Sequence, residues 1–347
     1  MSTSLLKLLE KFSNAVGTSG DEGGIRKMVR QEIESYVDEI NVDAMGNLLA
    51  IKHAAQPDAP RVMLAAHMDE VGFMLVSEDG EGLYAFAPVG GIDPRQLLAK
   101  PVLVGKEQIP GVIGSKPIHL TNAEDQKNAP SMDNLRIDIG PACTLHVGDF
   151  AYFATRFQHR GDSLFGKALD DRMGVVSLIE LARENPGKLE LLFAFTVQEE
   201  IGLRGARVAA FDFEPEMAFV VDSTPAFDLP LLDEAENTQY NCRLGCGPAI
   251  YLSDAGTLSD PRLIRFLVRL AEENHIPYQF RQPGGGGTDA GAIHITRQGI
   301  PTVSISIPGR YAHTPITHAR FSDWQKTLSL LKLVIHQADR SLLENHR

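Results

Sequence analysis

The run Leu191-Leu-Phe-Ala-Phe-Thr-Val197, followed at once by Gln198-Glu199-Glu200, is the clearest sign of the architecture. A short apolar run that ends in polar residues is typical of a strand buried in the middle of a sheet. Helices and strands alternate around it, with a predicted helix over Met173–Ala182 and a predicted strand over Met217–Val221. This alternation predicts an α/β fold, in which a mainly parallel sheet is sandwiched by helices.

The same alternation extends towards both ends of the chain. Further strands are predicted over Arg61–Ala66 and Pro301–Ile307, and further helices over Leu263–Glu273 and Trp324–Leu343. Near the N-terminus, Ser19-Gly-Asp-Glu22 has the spacing of a capping box ahead of another helix. Both ends of the chain therefore contribute to one α/β domain.

Residues 71–164 interrupt this pattern. Short β-rich runs alternate there with Gly, Pro and Asp, and no long helical period appears. Because the segment is far longer than an ordinary connecting loop, it predicts a small inserted all-β domain that resembles a barrel. The predicted division is residues 1–70 and 165–347 for the α/β domain, with residues 71–164 as the insert.

The composition limits the partners of the protein. The chain has 347 residues, with 33 Lys and Arg against 45 Asp and Glu, and its formal net charge is −12. Such an acidic chain is a poor ligand for nucleic acid or anionic membranes. No apolar run approaches the roughly 20 residues of a membrane helix, and the amphipathic N-terminus does not resemble a signal peptide. The 3 cysteines favour free thiols. We therefore expect a cytoplasmic protein that binds neither nucleic acid nor membrane.

Polar side chains follow the predicted strands and open the helix after the insert. The candidates are His67, Asp69, Asp170, Glu199, Glu200, Asp222 and His313. Because ligands collect at the carboxyl ends of strands in such sheets, we expect these side chains to converge. Taken singly, most of them are better explained by a solvated turn or a helix cap, and His318 and His294 are alternatives to His313. Taken together, they form a donor set suited to zinc, cobalt or manganese.

A centre with two metals needs a bridging carboxylate and a general base. Asp170 is able to reach two ions with its two oxygens. Glu199 and Glu200 are neighbours in an extended segment, so their side chains point apart, and one can bind metal while the other moves protons. The sequence therefore predicts a dinuclear centre with Asp170 as the bridge and Glu199 as the base.

Six ordered motifs carry a family resemblance. They are His67-Met-Asp69-Glu70-Val-Gly72, Lys167-Ala-Leu-Asp170-Asp171-Arg172-Met-Gly174, Gln198-Glu199-Glu200-Ile-Gly202-Leu-Arg-Gly205, Val221-Asp222-Ser-Thr224, Gly286-Gly287-Thr288-Asp289-Ala290-Gly291 and Arg310-Tyr311-Ala-His313. The set resembles the glutamyl/deblocking aminopeptidase family, the TET-type dinuclear zinc metallopeptidases, whose members also carry older cellulase or endoglucanase labels. The likeness covers nearly the whole chain.

The resemblance implies two divalent metal ions per subunit, with zinc as the first expectation and cobalt or manganese as alternatives. By motif, His67 and Asp222 would hold one ion. Glu200 and His313 would hold the other, and Asp170 would bridge the two. The resemblance thus assigns four ligands to one ion each and Asp170 to both.

The same motifs imply roles for residues beside the metals. Glu199 would be the general base toward a water activated by the two metals, and Asp69 would tune the site from behind the ligands. Thr288 and Asp289 fall in a loop that shapes the substrate site. Some acid-preferring relatives have a lysine in the Gly-rich loop that is absent here. Arg281 is able to supply positive charge instead, so a Glu/Asp preference stays an open expectation.

The implied function is a metal-dependent aminopeptidase that releases N-terminal residues from peptides. The insert would dimerise, and the dimers would assemble into tetrahedral dodecamers. The alternative is a dinuclear N-acyl-amino-acid hydrolase. A glycosidase, which needs two carboxylates flanking a sugar, is less favoured, and a silent peptide-binding particle is disfavoured by the complete ligand set. The segment 140–147 is shorter than in many relatives, which leaves details of the insert open.

Overall fold

The computed structural model describes residues 2–122, 127–141, 145–184, 187–229 and 242–344. The helices in these ranges are α1 (Ser2–Asn14), α2 (Gly23–Ile33), α3 (Leu169–Ala182), α4 (Arg204–Phe213), α5 (Pro261–Glu273), α6 (Ala290–Ile293) and α7 (Phe321–Gln337). The strands are β1 (Glu39–Val42), β2 (Leu48–Lys52), β3 (Arg61–His67), β4 (Gly72–Gly80), β5 (Leu83–Val89), β6 (Pro101–Val104), β7 (Ile109–Gly114), β8 (Arg136–Asp138), β9 (Phe150–Phe153), β10 (Gln158–Arg160), β11 (Ser163–Gly166), β12 (Glu190–Thr196), β13 (Met217–Pro225), β14 (Ala249–Tyr251), β15 (Gln279–Arg281), β16 (Thr302–Arg310) and β17 (Thr317–Arg320).

One large sheet runs in the order β1-β2-β12-β3-β13-β16-β17-β11-β10, with β14 beside β16 and β15 beside β14. Its centre, β12-β3-β13-β16, is parallel, whereas the flanking strands β1, β2, β17, β11 and β10 pair antiparallel. The prediction of a mainly parallel sheet therefore describes the centre, and the whole sheet is mixed. Short connections explain the antiparallel pairs β1–β2, β16–β17 and β10–β11. The antiparallel pairs β2–β12 and β11–β17 join strands that are distant in the sequence.

Helices cover both faces of this sheet, as predicted. Successive side chains of a strand point to opposite faces. On one face Leu64 and Phe193 belong to a core that includes α1, α2, α3, α5 and α7. On the other face Ala65 and Ala194 pack with α4 and α6. Since the central strands are buried on both sides, polar side chains collect at their carboxyl ends.

The region predicted as an insert contains a closed barrel of six strands, in the order β4-β5-β8-β7-β6-β9. Phe73 lies in its core, with its ring 5.0 Å from that of Phe86 and 5.3 Å from that of Phe153. β10 and β11 follow the barrel, but β11 pairs with β17 of the large sheet. We therefore propose that the insert ends near Phe153 and not at residue 164.

The predicted closing helix is too long at its C-terminal end. α7 ends at Gln337, because Ala338 takes extended dihedral angles of φ −67° and ψ 143°. Leu343 lies in a separate 3₁₀ turn, where the Asp339 side chain accepts a hydrogen bond from the backbone N–H of Ser341.

The predicted capping box at Ser19 and Glu22 is wrong. Neither side chain caps α2. Ser19 donates a hydrogen bond to Asp69 instead, and Glu22 accepts one from the backbone N–H of Gln198. The spacing was correct for a cap, but tertiary partners outcompeted the local ones.

The described residues contain no helix that is long and apolar enough to cross a membrane. Cys242, which is buried, and Cys246, which is exposed, are free thiols. Cys143 and the middle of the short segment 140–147 lie outside the described residues.

Candidate metal centre and active site

The central strands and the start of α3 bring the predicted ligands together. β3 ends at His67, and Glu199 and Glu200 follow its neighbour β12. Asp222 lies inside β13 and not after it, because that strand continues beyond the predicted end. His313 follows β16. All of these positions are at the same edge of the sheet because the four strands are parallel.

Two groups of ligand atoms form around Asp170. Its Oδ1 lies 3.2 Å from His67 Nε2, and that nitrogen lies 3.7 Å from Asp222 Oδ1. Its Oδ2 lies 3.8 Å from His313 Nε2, which is 3.2 Å from Glu200 Oε2. The two oxygens of Asp170 thus face two different imidazoles, as a carboxylate shared by two cations must.

Backbone carbonyls orient both imidazoles from behind. His67 Nδ1 lies 3.1 Å from the carbonyl oxygen of Asp69, and His313 Nδ1 lies 3.0 Å from that of Gly91. In the tautomer that these contacts favour, Nδ1 donates the hydrogen bond and Nε2 is available as a ligand. Gly91 follows β5, so the barrel region contributes a contact to the site.

Asp69 lies behind the ligands and is fully buried. Its Oδ1 accepts the backbone N–H of Glu199 at 3.1 Å, and its Oδ2 accepts that of Glu200 at 3.2 Å. The same Oδ1 lies 3.5 Å from His67 Nδ1. One carboxylate therefore connects the loop after β12 with the imidazole at the end of β3.

The site concentrates buried negative charge. Burial raises the pKa of Glu199 well above its ordinary value, that of Glu200 to about 8 and that of Asp222 to about 6. Burial also opposes ionisation of Asp170, but the hydrogen bond and charge of His67 hold its pKa at about 2. Bound cations are the partners that keep such a cluster ionised.

The donor set fits a divalent metal. His67, Asp170 and Glu200 each place one ligand atom within 4.8 Å of the others, and His67 with Asp222 and Asp171 forms a second such group. Imidazole nitrogen together with carboxylate oxygen is the chemistry that zinc, cobalt and manganese accept.

Asp171 fixes the loop that carries Asp170. Its Oδ1 accepts the backbone N–H of Gly174 at 2.9 Å. A Cβ at Gly174 would lie 2.2 Å from Asp171 Oδ2, so this position requires glycine. The neighbouring Arg172 lies 3.5 Å from Glu70 Oε1.

Strained backbone accompanies the ligands. Ala168, Gln198 and His313 have φ angles of 53°, 57° and 57°, in the left-handed region that residues with a side chain seldom adopt. Asp170 and Asp171 have non-helical dihedral angles at the start of α3. Such strain persists only where surrounding contacts enforce it, and it clusters at functional sites.

The ligands open into a cavity of about 550 Å³. Leu203, Phe227 and Tyr251 supply apolar surface to this cavity, and the Gly-rich loop 285–287 lines it. Thr288 and Asp289 follow that loop and are buried. The cavity is large enough for an amino-acid side chain next to the candidate metal ligands.

Asp289 and Arg281 anchor the loop from within. Asp289 accepts a hydrogen bond from the hydroxyl of Thr196, at the end of β12, and burial raises its pKa to about 7. Arg281 lines the cavity, donates to the carbonyl of Gly285 at 3.0 Å and lies 5.3 Å from the ring centroid of Tyr251. The loop that was predicted to shape the substrate site is thus tied to the sheet.

The rival histidines lie elsewhere. His318 Nε2 is 3.1 Å from Ser163 Oγ, and its ring stacks on Phe165 at 4.4 Å. His294 Nδ1 is 2.9 Å from the carbonyl of Ala290. His313 differs from both, because its Nε2 lies 3.2 Å from Glu200 Oε2 and 3.8 Å from Asp170 Oδ2.

The sequence reasoning missed a buried ion pair beside the ligands. Lys167 Nζ donates to both oxygens of Glu70, at 2.7 and 2.9 Å, and to the carbonyl of Ala15 at 2.7 Å. This pair joins the loop after β3 to the loop before α3. Both residues stand in the quoted motifs, but a charge in a motif does not indicate a partner that is 97 positions away.

The fold and the donor set together define a class, the metal-dependent hydrolases with a catalytic domain of α/β type. The profile of the M42 glutamyl aminopeptidase family matches residues 46–330, and the chain belongs to this family. The predicted family relationship is confirmed, and the protein is a metallo-aminopeptidase.

Individual relatives agree in sequence and in structure. The lysyl aminopeptidase of Pyrococcus furiosus is 33% identical over 345 residues, which cover 95% of this chain and 96% of the relative. An aminopeptidase from the archaeon Desulfurococcus kamchatkensis superposes with a TM-score of 0.92 at 31% identity, covering 99% of this chain and 97% of the other. The TET1 peptidase of Pyrococcus horikoshii, described as able to assemble into a tetrahedron or a large octahedral shell, has a TM-score of 0.84 at 33% identity, over 96% and 100% of the two chains.

The choice between His313 and His318 is open to a direct test. We expect the His313→Ala variant to bind less zinc than the wild type, because His313 Nε2 faces the Asp170 and Glu200 oxygens. The measurement is elemental analysis after dialysis against buffered zinc. His318→Ala is the control and should keep the zinc content of the wild type. Equal loss in the two variants would contradict the assignment.

Proposed function

We propose that the site holds two divalent cations, with zinc as the first choice. His67 and Asp222 would hold one cation, Glu200 and His313 would hold the other, and Asp170 would be shared. The observation that carries this proposal is the position of the two Asp170 oxygens, 3.2 Å from His67 Nε2 and 3.8 Å from His313 Nε2. When bound, such ions supply Lewis acidity to the scissile carbonyl and lower the pKa of a coordinated water.

In this proposal Glu199 moves the proton. It lines the cavity next to the ligands and is 9% exposed, so its carboxylate meets substrate and little bulk water. Glu199 accepts the proton that the attacking water loses. It then donates this proton to the nitrogen of the departing peptide, and the bond between the carbonyl carbon and that nitrogen breaks. Asp69 acts indirectly, by holding the backbone N–H of Glu199.

The preference for a free N-terminus follows from charge. The cavity lining includes the carboxylates of Glu199, Glu200 and Asp222, and buried Asp289 lies behind the loop. When Glu200 and Asp222 hold metal ions, a free α-amine can still bind a metal ion or the carboxylate of Glu199, whereas an acylated, neutral nitrogen gains nothing comparable. We therefore propose exopeptidase action on peptides, in preference to hydrolysis of N-acyl amino acids.

We propose that the N-terminal side chain enters the part of the cavity lined by Phe227, Tyr251 and Arg281. The family carries a glutamyl name and one close relative a lysyl name, so kinship does not decide the preferred charge. Arg281 is 2% exposed and places a guanidinium at the wall. In such a setting it repels a lysyl side chain and attracts a glutamyl or aspartyl one, which supports an acid preference.

Self-association through the barrel is part of the proposal. The short turn after β7 carries Ile118, which is 68% exposed, and Leu120, which is 69% exposed. Leu98 and Ile118 line one wide cavity on the surface of this region. Clustered apolar surface of this kind is costly in water and marks a protein interface. A second copy of the chain is the proposed occupant, with assembly to a dodecamer as for the TET-type relatives.

The roles of the adjacent carboxylates can be separated. Glu199→Gln should keep its bound metal while kcat falls by about 10²–10⁴-fold, since only the proton transfer is lost. Glu200→Gln is the matched variant and should lose metal as well. Metal content and single-substrate kinetics are measured on both. Substantial turnover by Glu199→Gln would rule out its role as the base.

Specificity depends on Arg281 in this scheme. Arg281→Met should lower kcat/KM for glutamyl-p-nitroanilide by about tenfold or more and leave leucyl-p-nitroanilide nearly unchanged. A misfolded variant would lose both activities, so the neutral substrate is an internal control. A parallel loss on both substrates, or no change on the acidic one, counts against the acid preference.

Assembly is tested by introducing charge into the apolar turn. The double variant Ile118→Asp with Leu120→Asp should have a lower molar mass by light scattering than the wild type, because buried carboxylates oppose association. Val42 lies on the edge strand β1 and is 37% exposed. The control variant Val42→Asp should therefore leave the molar mass unchanged. An unaltered mass in the double variant would argue against this interface.

A further inference from the structure

The segment Gly17–Glu22, between α1 and α2, contacts the loop after β3 and the loop after β12, which carry candidate metal ligands. Ser19 Oγ donates a hydrogen bond of 2.6 Å to Asp69 Oδ2, and both residues are buried, at 3% and 0% exposure. The matched family profile begins at residue 46, so it assigns no role to this serine. The contact connects the N-terminal part of the chain to the carboxylate behind the site.

The position of Ser19 is fixed from both sides. Before it, the backbone N–H of Glu70 donates to the carbonyl of Gly17 at 3.0 Å, and the N–H of Gly17 donates to Glu70 Oε1 at 3.1 Å. After it, Glu22 Oε1 accepts the backbone N–H of Gln198 at 3.1 Å. The segment is thus attached to the loop after β3 and to the loop after β12, the two loops that carry His67 and the glutamates.

Asp69, which accepts the hydrogen bond from Ser19, also accepts two backbone hydrogen bonds. Asp69 Oδ1 accepts the N–H of Glu199, and Oδ2 accepts the N–H of Glu200. Rotation of a carboxylate about its last torsion is soft, because that torsion has broad minima. The two backbone bonds, at 3.1 and 3.2 Å, are longer than the 2.6 Å bond from Ser19. The hydroxyl therefore restrains the plane in which Asp69 meets both glutamates.

We propose that Ser19 is a positioning residue, whose hydroxyl orients Asp69 and thereby sets the affinity of the site for divalent cations. The inference rests on the proposed metal centre, but it concerns a residue that touches neither metal ligand oxygens nor substrate. A group that orients ligands from behind typically changes metal affinity by about 10–100-fold when it is removed.

The first experiment measures zinc affinity of the full chain by competition with a chromogenic chelator. We expect Ser19→Ala to bind zinc about 10–100-fold more weakly than the wild type. At saturating zinc its kcat should remain reduced while KM changes little, because Glu199 is less well placed. Ser19→Thr keeps a hydroxyl and should restore affinity close to that of the wild type.

A control separates positioning from general stability. Thr327 Oγ1 donates to the carbonyl of Asp323 within α7 and is fully buried. Thr327→Val removes a buried hydroxyl bond far from the ligands, so it should lower the melting temperature without changing zinc affinity. Melting curves of the metal-free proteins show whether each variant is folded.

The second experiment asks whether Ser19 acts through Asp69. In an Asp69→Asn background the further change Ser19→Ala should alter zinc affinity by less than about twofold, because effects on a shared contact are not additive. If Ser19→Ala bound zinc as tightly as the wild type, the inference about Ser19 would be wrong. It would also be wrong if Ser19→Ala caused the same full loss of affinity in the Asp69→Asn background. Either result would leave the proposed metal centre standing. A wild-type chain that binds no zinc would overturn the proposed centre and this inference with it.

Discussion

Repulsion among buried carboxylates is the constraint around which this site is built. Asp170, Glu199, Glu200 and Asp222 share one edge of the sheet, and burial raises the pKa of three of them. Without added positive charge, such a cluster costs free energy that rises with each ionised member. Two features hold the cluster together. Residues beside the candidate ligands have strained backbone angles, and the Asp69 carboxylate accepts two backbone N–H groups of the loop after β12. Bound divalent cations would lower the free-energy cost of this repulsion.

The topology explains why residues so distant in the chain share this edge. β12, β3, β13 and β16 are parallel neighbours, so their carboxyl ends point in one direction. α3 begins at the same level and contributes Asp170 between the two imidazoles. The Lys167–Glu70 pair, fully desolvated, fixes that helix start against the loop after β3. Removing either partner would leave an uncompensated buried charge, which is more costly than the pair itself is favourable.

The barrel region is connected to the chemistry and not only to assembly. The carbonyl of Gly91 orients His313, and Tyr152 of β9 donates a hydrogen bond to Asp21 in the segment between α1 and α2. A subunit interface on the barrel would therefore involve the same region of the chain that contacts His313, a candidate metal ligand. In the proposed function, the cavity walls, which are apolar at Phe227 and Tyr251 and cationic at Arg281, form the surface that distinguishes substrates.

The sequence by itself determined the alternation of strands and helices and the change of pattern after residue 70, and it indicated the candidate donors at the strand ends. These features are local, since a run such as Leu191–Val197 carries its own burial pattern and His67, Glu199 and Glu200 stand directly beside such runs. Motif likeness added a hypothesis of which donor holds which ion, and the family relationship that it implied is confirmed. Only the tertiary structure decided that the flanks of the sheet are antiparallel, that Ser19 serves Asp69 and not a helix cap, and that Gly91 and Lys167 support the site. The physical reason is that these outcomes depend on competition between local and distant partners. A hydroxyl or an ammonium group pairs with whichever acceptor the fold brings within hydrogen-bond distance, and spacing along the chain contains no record of that distance.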